Sequence, residues 1–337
     1  MNTPRHDTAR THWLTGPDRG ELREEPLAAP TPHDVLVRTR FSGISRGTER
    51  LVRHGRVPAA VAATMRAPFQ RGEFPWPVAY GYLSVGTVEA GPDELLGRDV
   101  FCLHPHADRY VVPAEAVTVL PEGVPPRRAV LAGTLETAVN ACWDLAPLLG
   151  DRIAVIGAGM VGASVAALLR MFPVERLQLI DADPSKAAFA AALGIEFATP
   201  DEAAGGCDSI VHASGHPAGL ARALELVADE GEVLEMSWYG DGEVPVPLGA
   251  DFHRRRLSVR ASQVGRISPR RRSSRSHAER LTVALQALRD PVFDQFITGV
   301  TPFERIEHAM RAVLAEDGRG ELCHVIDYET GPEIDGA

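Results

Sequence analysis

The sequence predicts an α/β protein: a parallel sheet covered by helices on both faces, set between two segments of a β-rich domain. Three observations carry this expectation. From about residue 128 apolar strand-like runs alternate with helical stretches, the first 120 residues are short β-like runs cut by glycine and proline, and the segment from 265 returns to helix, helix, strand. At 337 residues and 45% hydrophobic content, against roughly 100 to 200 residues per domain, two domains with substantial cores are expected.

Taken in order, HDVLVRTRFSG, YLSVGTVEAG, RDVFCLH and DRYVVPAEAVTVLP alternate or run apolar between turn signals, as strands of an antiparallel, barrel-like domain do. RRAVLAGTLETAVNACWDL then reads as helix, IAVIGAG as a buried strand, VGASVAALLRMF as helix, LQLIDAD as strand, and PSKAAFAAALG as a helix closed by Gly194. CDSIVHASG, GEVLEMSW and RRLSVRAS read as strands, with the helix GLARALELV between the first two. The tail segments AERLTVALQALRD, TPFERIEHAMRAVLAED and GELCHVIDY read helix, helix, strand.

Composition removes several function classes. The net charge of −10 argues against general affinity for nucleic acid or anionic membrane. That charge is uneven: residues 253–280 hold ten arginines against one acid, Glu279. Cys102, Cys142, Cys207 and Cys323 follow no CxxC spacing, so free thiols in a reducing cytoplasm are expected. The start MNTPRHDTAR lacks an apolar signal region and no apolar stretch is long enough to span a bilayer, so a cytoplasmic protein is expected.

IAVIGAGMVGASVAALLR places Gly157, Gly159 and Gly162 in GxGxxG register after an apolar strand and at the start of a helix. The first glycine makes the tight turn, the second lets backbone approach a pyrophosphate, and the third permits close packing, with the helix N-terminus facing the anion. Asp181 lies 19 residues beyond Gly162, at the distance expected for the acid that hydrogen-bonds an adenosine ribose. A carboxylate there repels a 2′-phosphate, which favours NAD(H) over NADP(H). Lys186 is a further cofactor candidate, with a solvated lysine as the alternative.

The segments GISRGTE (43–49), GYLSVG (81–86), DRYVVPA (108–114), TLETAVNA (134–141), GAGMVG (157–162), DADPSKAAFAAALG (181–194) and GELCHVI together resemble the medium-chain dehydrogenase/reductase superfamily of the zinc alcohol dehydrogenase type. FSGISRGTERLVRHGRVP is most similar to the matching segment of bacteriochlorophyllide dehydrogenases, which oxidise a hydroxyethyl group to acetyl. The resemblance implies a Rossmann doubly wound parallel sheet, residues 134–264, inserted in a GroES-like β-rich catalytic domain, residues 1–133 and 265–337. It also implies a homodimer paired through the last Rossmann strand.

The zinc positions depart from that family. Where it carries a Cys, a His and a further Cys or acid, this chain has Ser45, Tyr82 and Gly133, with Leu83 in place of the family's Glu. A hydroxyl, a phenol and a hydrogen do not make a zinc site. The lobe that holds a structural zinc is replaced by the short LHPHADRY link. No catalytic and no structural zinc are therefore expected. Cys102, His104 and His106, at i, i+2, i+4 spacing, stand as an alternative metal cluster if a strand puts them on one face.

Without a Lewis acid, the chemistry falls to hydrogen-bond donors and a proton relay. The resemblance places the 45–49 loop and position 82 near the nicotinamide, so Ser45, Thr48 and Tyr82 are the catalytic candidates, with Glu49 or His54 as relay. The loop is one residue longer than the family's, so Ser45, Arg46 and Thr48 are alternatives for the inward-facing position. Thr137 matches the threonine that touches the nicotinamide, and Val161 the apolar residue behind its ring. Glu136 and Asn140, four apart on one helix face, are either substrate contacts or solvated. The cluster Arg270, Arg271, Arg272 and Arg275, at the mouth of the expected cleft, either recruits a carboxylate- or phosphate-bearing substrate or is a solvated loop. Arg46, Glu49, His54, Glu136 and Arg271 are thus the substrate-binding candidates. The leading expectation is a zinc-independent, NAD(H)-linked alcohol dehydrogenase or ketone reductase acting on a small molecule. The alternatives are a conjugated C=C or quinone reductase, and a non-catalytic NAD-binding subunit or sensor.

Overall fold

The computed structural model describes residues 8–249, 251–315 and 321–330. The chain divides into two compact units, 1–133 with 285–337, and 134–284. The sequence placed the second boundary at 264/265. Residues 265–284 side instead with the parallel-sheet unit, where the Ser268 N–H donates to Asn140 and Arg280 is tied to Glu136.

In chain order, the first unit opens with a hairpin, β1 (Thr8–Gly16) and β2 (Arg19–Pro26), followed by β3 (Asp34–Ile44) and helix α1 (Arg46–Arg53). Short strands β4 (Arg71–Gly72) and β5 (Val78–Ala79) precede β6 (Ser84–Ala90), β7 (Asp99–Cys102), β8 (Arg109–Pro113), β9 (Val117–Val119) and helix α2 (Pro126–Ala129). Alternation in VLVRTRF does what period 2 requires, burying Val35, Val37 and Phe41 on one face. Val35 and Val37 pack with Val88, Val100, Tyr110 and Val112, each aliphatic side chain contributing about 1.5–3 kcal/mol on full burial. Register matters most at one end: Ser42 opposes Ser84, and the Gly43 N–H donates to the Leu83 carbonyl at 2.8 Å. The residue that leaves β3, Ser45, is thereby brought to Tyr82, two residues before β6.

Helix α3 (Ala132–Leu145) leads into the second unit: β10 (Arg152–Ile156), α4 (Met160–Leu169), β11 (Arg176–Ile180), α5 (Ala187–Ala192), β12 (Glu196–Ala198), β13 (Cys207–His212), α6 (Pro217–Leu226), β14 (Val227–Glu235), α7 (Asp251–Arg254), β15 (Ser258–Ala261) and α8 (His277–Ala287). The six strands form one parallel sheet in the order β12-β11-β10-β13-β14-β15. Ile153, Ala154, Val155, Ile210 and Val211 are fully buried, as expected of strands covered on both faces. The strand order reverses between β10 and β13, where ligands bind outside the carboxyl ends of open α/β sheets. The doubly wound sheet is as the sequence predicts.

The chain ends in the first unit with β16 (Ile297–Pro302), α9 (Ile306–Val313) and β17 (Cys323–Asp327). The larger sheet there runs β16-β17-β3-β6-β7-β9, with β8 also paired to β3, and a smaller one runs β2-β1-β5-β4. Helix α9 buries Ile306, Ala309, Met310 and Val313 against Ile44 and Ile326. One charged clamp joins it to α1: the buried Arg53 guanidinium donates to both oxygens of Glu307, which also meets His12 at 3.1 Å. Among the described residues no helix is long and apolar enough to cross a membrane.

Candidate functional site

The nucleotide-type cradle is built where the sheet order reverses. Gly157 has φ +105°, and a Cβ there would meet the Ser214 backbone nitrogen at 2.6 Å. A Cβ on Gly162 would strike the Gly157 carbonyl oxygen, while at Gly159, the N-cap of α4, it would meet nothing within 4 Å. The first turn of α4 thus faces open space with no side-chain cap, which suits an incoming anion. Asp181, directly after β11, accepts from the Ala158 N–H at 2.7 Å and the Asp183 N–H at 2.9 Å. A carboxylate has about four acceptor sites, so room remains for ribose hydroxyls. Val161 is half-buried in the first turn of α4, Thr137 is half-buried on α3, and Lys186 is buried at the end of the short turn Pro184–Lys186. These residues fit a dinucleotide.

The first unit gathers the predicted hydroxyls. Tyr82 Oη donates to Ser45 Oγ at 2.5 Å. Burial pushes the Tyr82 phenol pKa up, against its hydrogen bonds with Ser45 and Thr48, which pull it down. Tyr82 is therefore a protonated donor at neutral pH. Its ring edge stands against Tyr80, with centroids 6.0 Å apart and planes at 88°. Ser45 is the N-cap of α1, which fixes Thr48 one turn in.

The extra residue in the loop settles which side chain turns outward. Arg46 donates to the Val313 carbonyl at the end of α9 and to that of Ala315. Burial lowers its pKa. It closes a helix terminus. Glu49 is buried, with one oxygen accepting from the Ser45 N–H at 2.7 Å and the other 3.1 Å from His106 Nε2. Both oxygens are occupied in shaping the loop, a different task from the relay expected of it. His106 continues to Ser42 Oγ at 2.7 Å, and Ser42 to Tyr328 at 2.9 Å. His54 caps α1 from its far end, 3.7 Å from Asp18, and makes no bond to the hydroxyls.

The zinc-matched positions do not fit a zinc ion. Ser45 and Tyr82 bond each other, and a Cβ on Gly133 would lie 2.6 Å from Leu83 Cδ2, with Phe101 and Leu103 behind. Cys102, His104 and His106 do not converge either. Cys102 is buried in β7 beside Tyr110, burial taking its pKa up to about 12. His104 stacks on Tyr110 at 3.8 Å and bonds the Pro105 carbonyl, burial taking its pKa down to about 3. His106 turns to Glu49. Pro105 breaks the strand periodicity that would have aligned the three. Among the described residues no group of three or more His, Cys, Asp or Glu could hold a metal.

In the second unit, Glu136 is neither solvated nor free. It takes two hydrogen bonds from Arg280, at 3.0 and 2.9 Å, and both side chains are buried. Asn140 accepts from Arg280 and from the Ser268 N–H. Burial raises the Glu136 pKa against the pull of Arg280. The Arg-rich segment forms an exposed turn in which the Arg271 N–H donates to the Ser268 carbonyl. Next to it lies a pocket of about 680 Å³ lined by Arg260, Arg266, Ser268, Arg272 and His277 among others. Arg271 is not in that lining. Arg260 is committed to Glu232 at 2.6 Å, and Arg275 stands 3.7 Å from Glu279.

Sequence reasoning missed one cluster altogether. His212, the last residue of β13 and fully buried, sits 2.7 Å from Glu235 Oε2 at the end of β14 and 2.6 Å from Ser214 Oγ. Tyr239 Oη donates to the same Glu235 oxygen, and the Ser237 N–H to the other. The signal was available: SIVH and VLE are buried strands that each close on a polar residue at the nucleotide edge.

The known proteins this chain is similar to are alcohol and polyol dehydrogenases. No protein-family model matches the chain. It is similar to D-xylulose reductase A of Aspergillus niger, 24% identical over 93% of this chain and 96% of that protein. It is also similar to sorbitol dehydrogenase of Arabidopsis thaliana, 30% identical over 55% of this chain and 57% of that protein. Among solved structures, the alcohol dehydrogenase rspB of Escherichia coli CFT073 complexed with NADH superposes with a TM-score of 0.76 at 16% identity, covering 96% of this chain and 100% of that one. A zinc-binding dehydrogenase of Sinorhizobium meliloti 1021 bound to NADP gives 0.76 at 18%, covering 95% and 99%. At such identities the structural likeness establishes the fold, a Rossmann sheet inserted in a GroES-like domain.

Proposed function

We propose that this chain is an NAD(H)-linked oxidoreductase that interconverts a secondary alcohol and a ketone without zinc. The observation that carries the reading is the Tyr82–Ser45 hydroxyl pair, with Thr48 beside it, standing at positions where the resembled family holds its metal. The similarity to polyol dehydrogenases supports CH–OH chemistry, and Asp181 supports NAD(H) over NADP(H).

Bound NAD(H) would supply the hydride acceptor or donor, held by Gly157, Gly159, Gly162 and Asp181 with Thr137, Val161 and Lys186 nearby. The protein's own part is the oxygen. Tyr82 donates to Ser45 Oγ, which leaves the Ser45 proton free to point at a carbonyl oxygen and polarise it. On reduction that hydroxyl gives its proton to the product alkoxide and is re-protonated from solvent along the half-buried Thr48 and Tyr82; oxidation releases the proton to solvent by the same path. Glu49 holds the loop in place through the Ser45 N–H. Arg266 and Arg272 line the 680 Å³ pocket of the second unit, which suits an anionic group. Pairing of two copies through the edge strand β15 and a cytoplasmic location complete the proposal.

Incubation with NAD⁺ or NADP⁺ and a panel of secondary alcohols and polyols, following reduced-nicotinamide absorbance, tests it. NAD⁺-dependent turnover that survives chelation and falls in Tyr82→Phe is expected. Reduction of conjugated C=C substrates alone, with NADPH preferred, would overturn it, and so would cofactor binding without any turnover.

A further inference from the structure

We infer that the Ser214 hydroxyl is a cofactor-binding group that accepts a hydrogen bond from a ribose hydroxyl of the dinucleotide, held in that role by His212 and Glu235. The inference rests on the NAD(H) reading and extends the site from β10 and β11 to β13 and β14.

Position comes first. Ser214 is exposed, whereas His212 beneath it has no exposed surface. The Ser214 backbone lies against the first fingerprint glycine, so close that a Cβ on Gly157 would be 2.6 Å from its nitrogen. A ligand on the glycine turn therefore passes over this hydroxyl, across the point where the strand order reverses.

Proton bookkeeping then fixes what Ser214 can do. Glu235 Oε1 accepts from the Ser237 N–H at 2.6 Å, and Oε2 accepts from Tyr239 at 3.2 Å and faces His212 Nδ1 at 2.7 Å. Burial works to raise the Glu235 pKa, but the hydrogen bonds it takes from His212 and Ser237 hold it below the usual range. A carboxylate only accepts, so Nδ1 carries a proton, and in the neutral form of the ring Nε2 is an acceptor. Ser214 Oγ lies 2.6 Å from Nε2 and 3.5 Å from the His216 carbonyl oxygen, and its proton goes to the far shorter contact. One of its lone pairs takes the His216 N–H at 3.2 Å; the other faces outward. The exposed side of Ser214 thus accepts and cannot donate. Phosphate oxygens, which also only accept, are a poor match. A ribose hydroxyl, which brings a proton, is the part of the dinucleotide that fits.

The test is fluorescence titration of the whole protein with NADH and with analogues lacking one ribose hydroxyl at a time. Ser214→Ala is expected to raise the NADH Kd about 5- to 10-fold, the loss of one hydrogen bond. One deoxy analogue should cost the wild type a similar factor and cost Ser214→Ala nothing further. His212→Phe should abolish the same coupling, which a merely structural role would not do selectively. Nitrogen-15 NMR of the histidine ring should place the His212 proton on Nδ1, with Glu235→Gln relaxing that preference. Deoxy analogues that weaken wild type and Ser214→Ala equally, or a His212 proton on Nε2, would overturn the inference while leaving the cofactor reading intact. Absence of saturable NADH binding to the wild type would overturn both.

Discussion

The clamp between α1 and α9 predicts how this protein responds to acid. Glu307 is 26% exposed and takes hydrogen bonds from His12 and both terminal nitrogens of Arg53, itself 1% exposed. Burial acts to raise its pKa, but His12 and Arg53 outweigh it and hold the carboxyl at about 2, against an ordinary 4.5. At 1.36 kcal/mol per pH unit the carboxylate contributes about 3 kcal/mol to stability at neutral pH. A depressed folded pKa means that this contribution is full above pH 4.5 and lost as pH falls towards 2. At pH 3 about 1.4 kcal/mol should remain. Urea unfolding of wild type and Glu307→Gln, followed by tryptophan fluorescence, measures this. The stability gap between them should be about 3 kcal/mol at pH 7 and about half that at pH 3. A gap that is small at pH 7, or equal at the two pH values, would refute the assignment. Because Arg53 ends the helix that Ser45 begins, turnover should decline along with the clamp.

Replacing Tyr82 by Phe together with Thr48 by Val should lower kcat by at least about 100-fold with little change in NADH affinity, as steady-state kinetics and fluorescence titration would show. Asp181→Ala should weaken NADH by about 10-fold and narrow the preference over NADPH, read from the two Kd values. Glu136→Gln leaves the buried Arg280 partly unpaired and should cost about 3 kcal/mol in denaturant unfolding. Neutralising Arg266 and Arg272 should raise KM for anionic substrates only and flatten its salt dependence.

What the sequence could reveal divides along physical lines. The sheet, its helices and the glycine turn follow from local rules, such as apolar periodicity and the space a Cβ needs at Gly157 and Gly162. The hydroxyl cluster was legible because Ser45 and Tyr82 fall at recognisable motif positions. The polar partnerships were not. Glu136 and Arg280 are 144 residues apart, and Glu49 and His106 are 57 apart; no local pattern announces that one will bond the other. Arg46, Glu49 and Glu136 therefore read as available groups when the fold had already engaged them.

Leu83 shapes more than the present site. It fills the space beside Gly133 that a third metal-ligating side chain would need, and it is fully buried. A thiolate introduced at 133 alone meets that leucine before it meets any ion, and shrinking Leu83 alone opens a void. A side chain at 133 needs that leucine to move, and it would still find a hydroxyl and a phenol at 45 and 82. A metal site at 133 would therefore require Leu83, Ser45 and Tyr82 to change together, so no single substitution here is expected to create one.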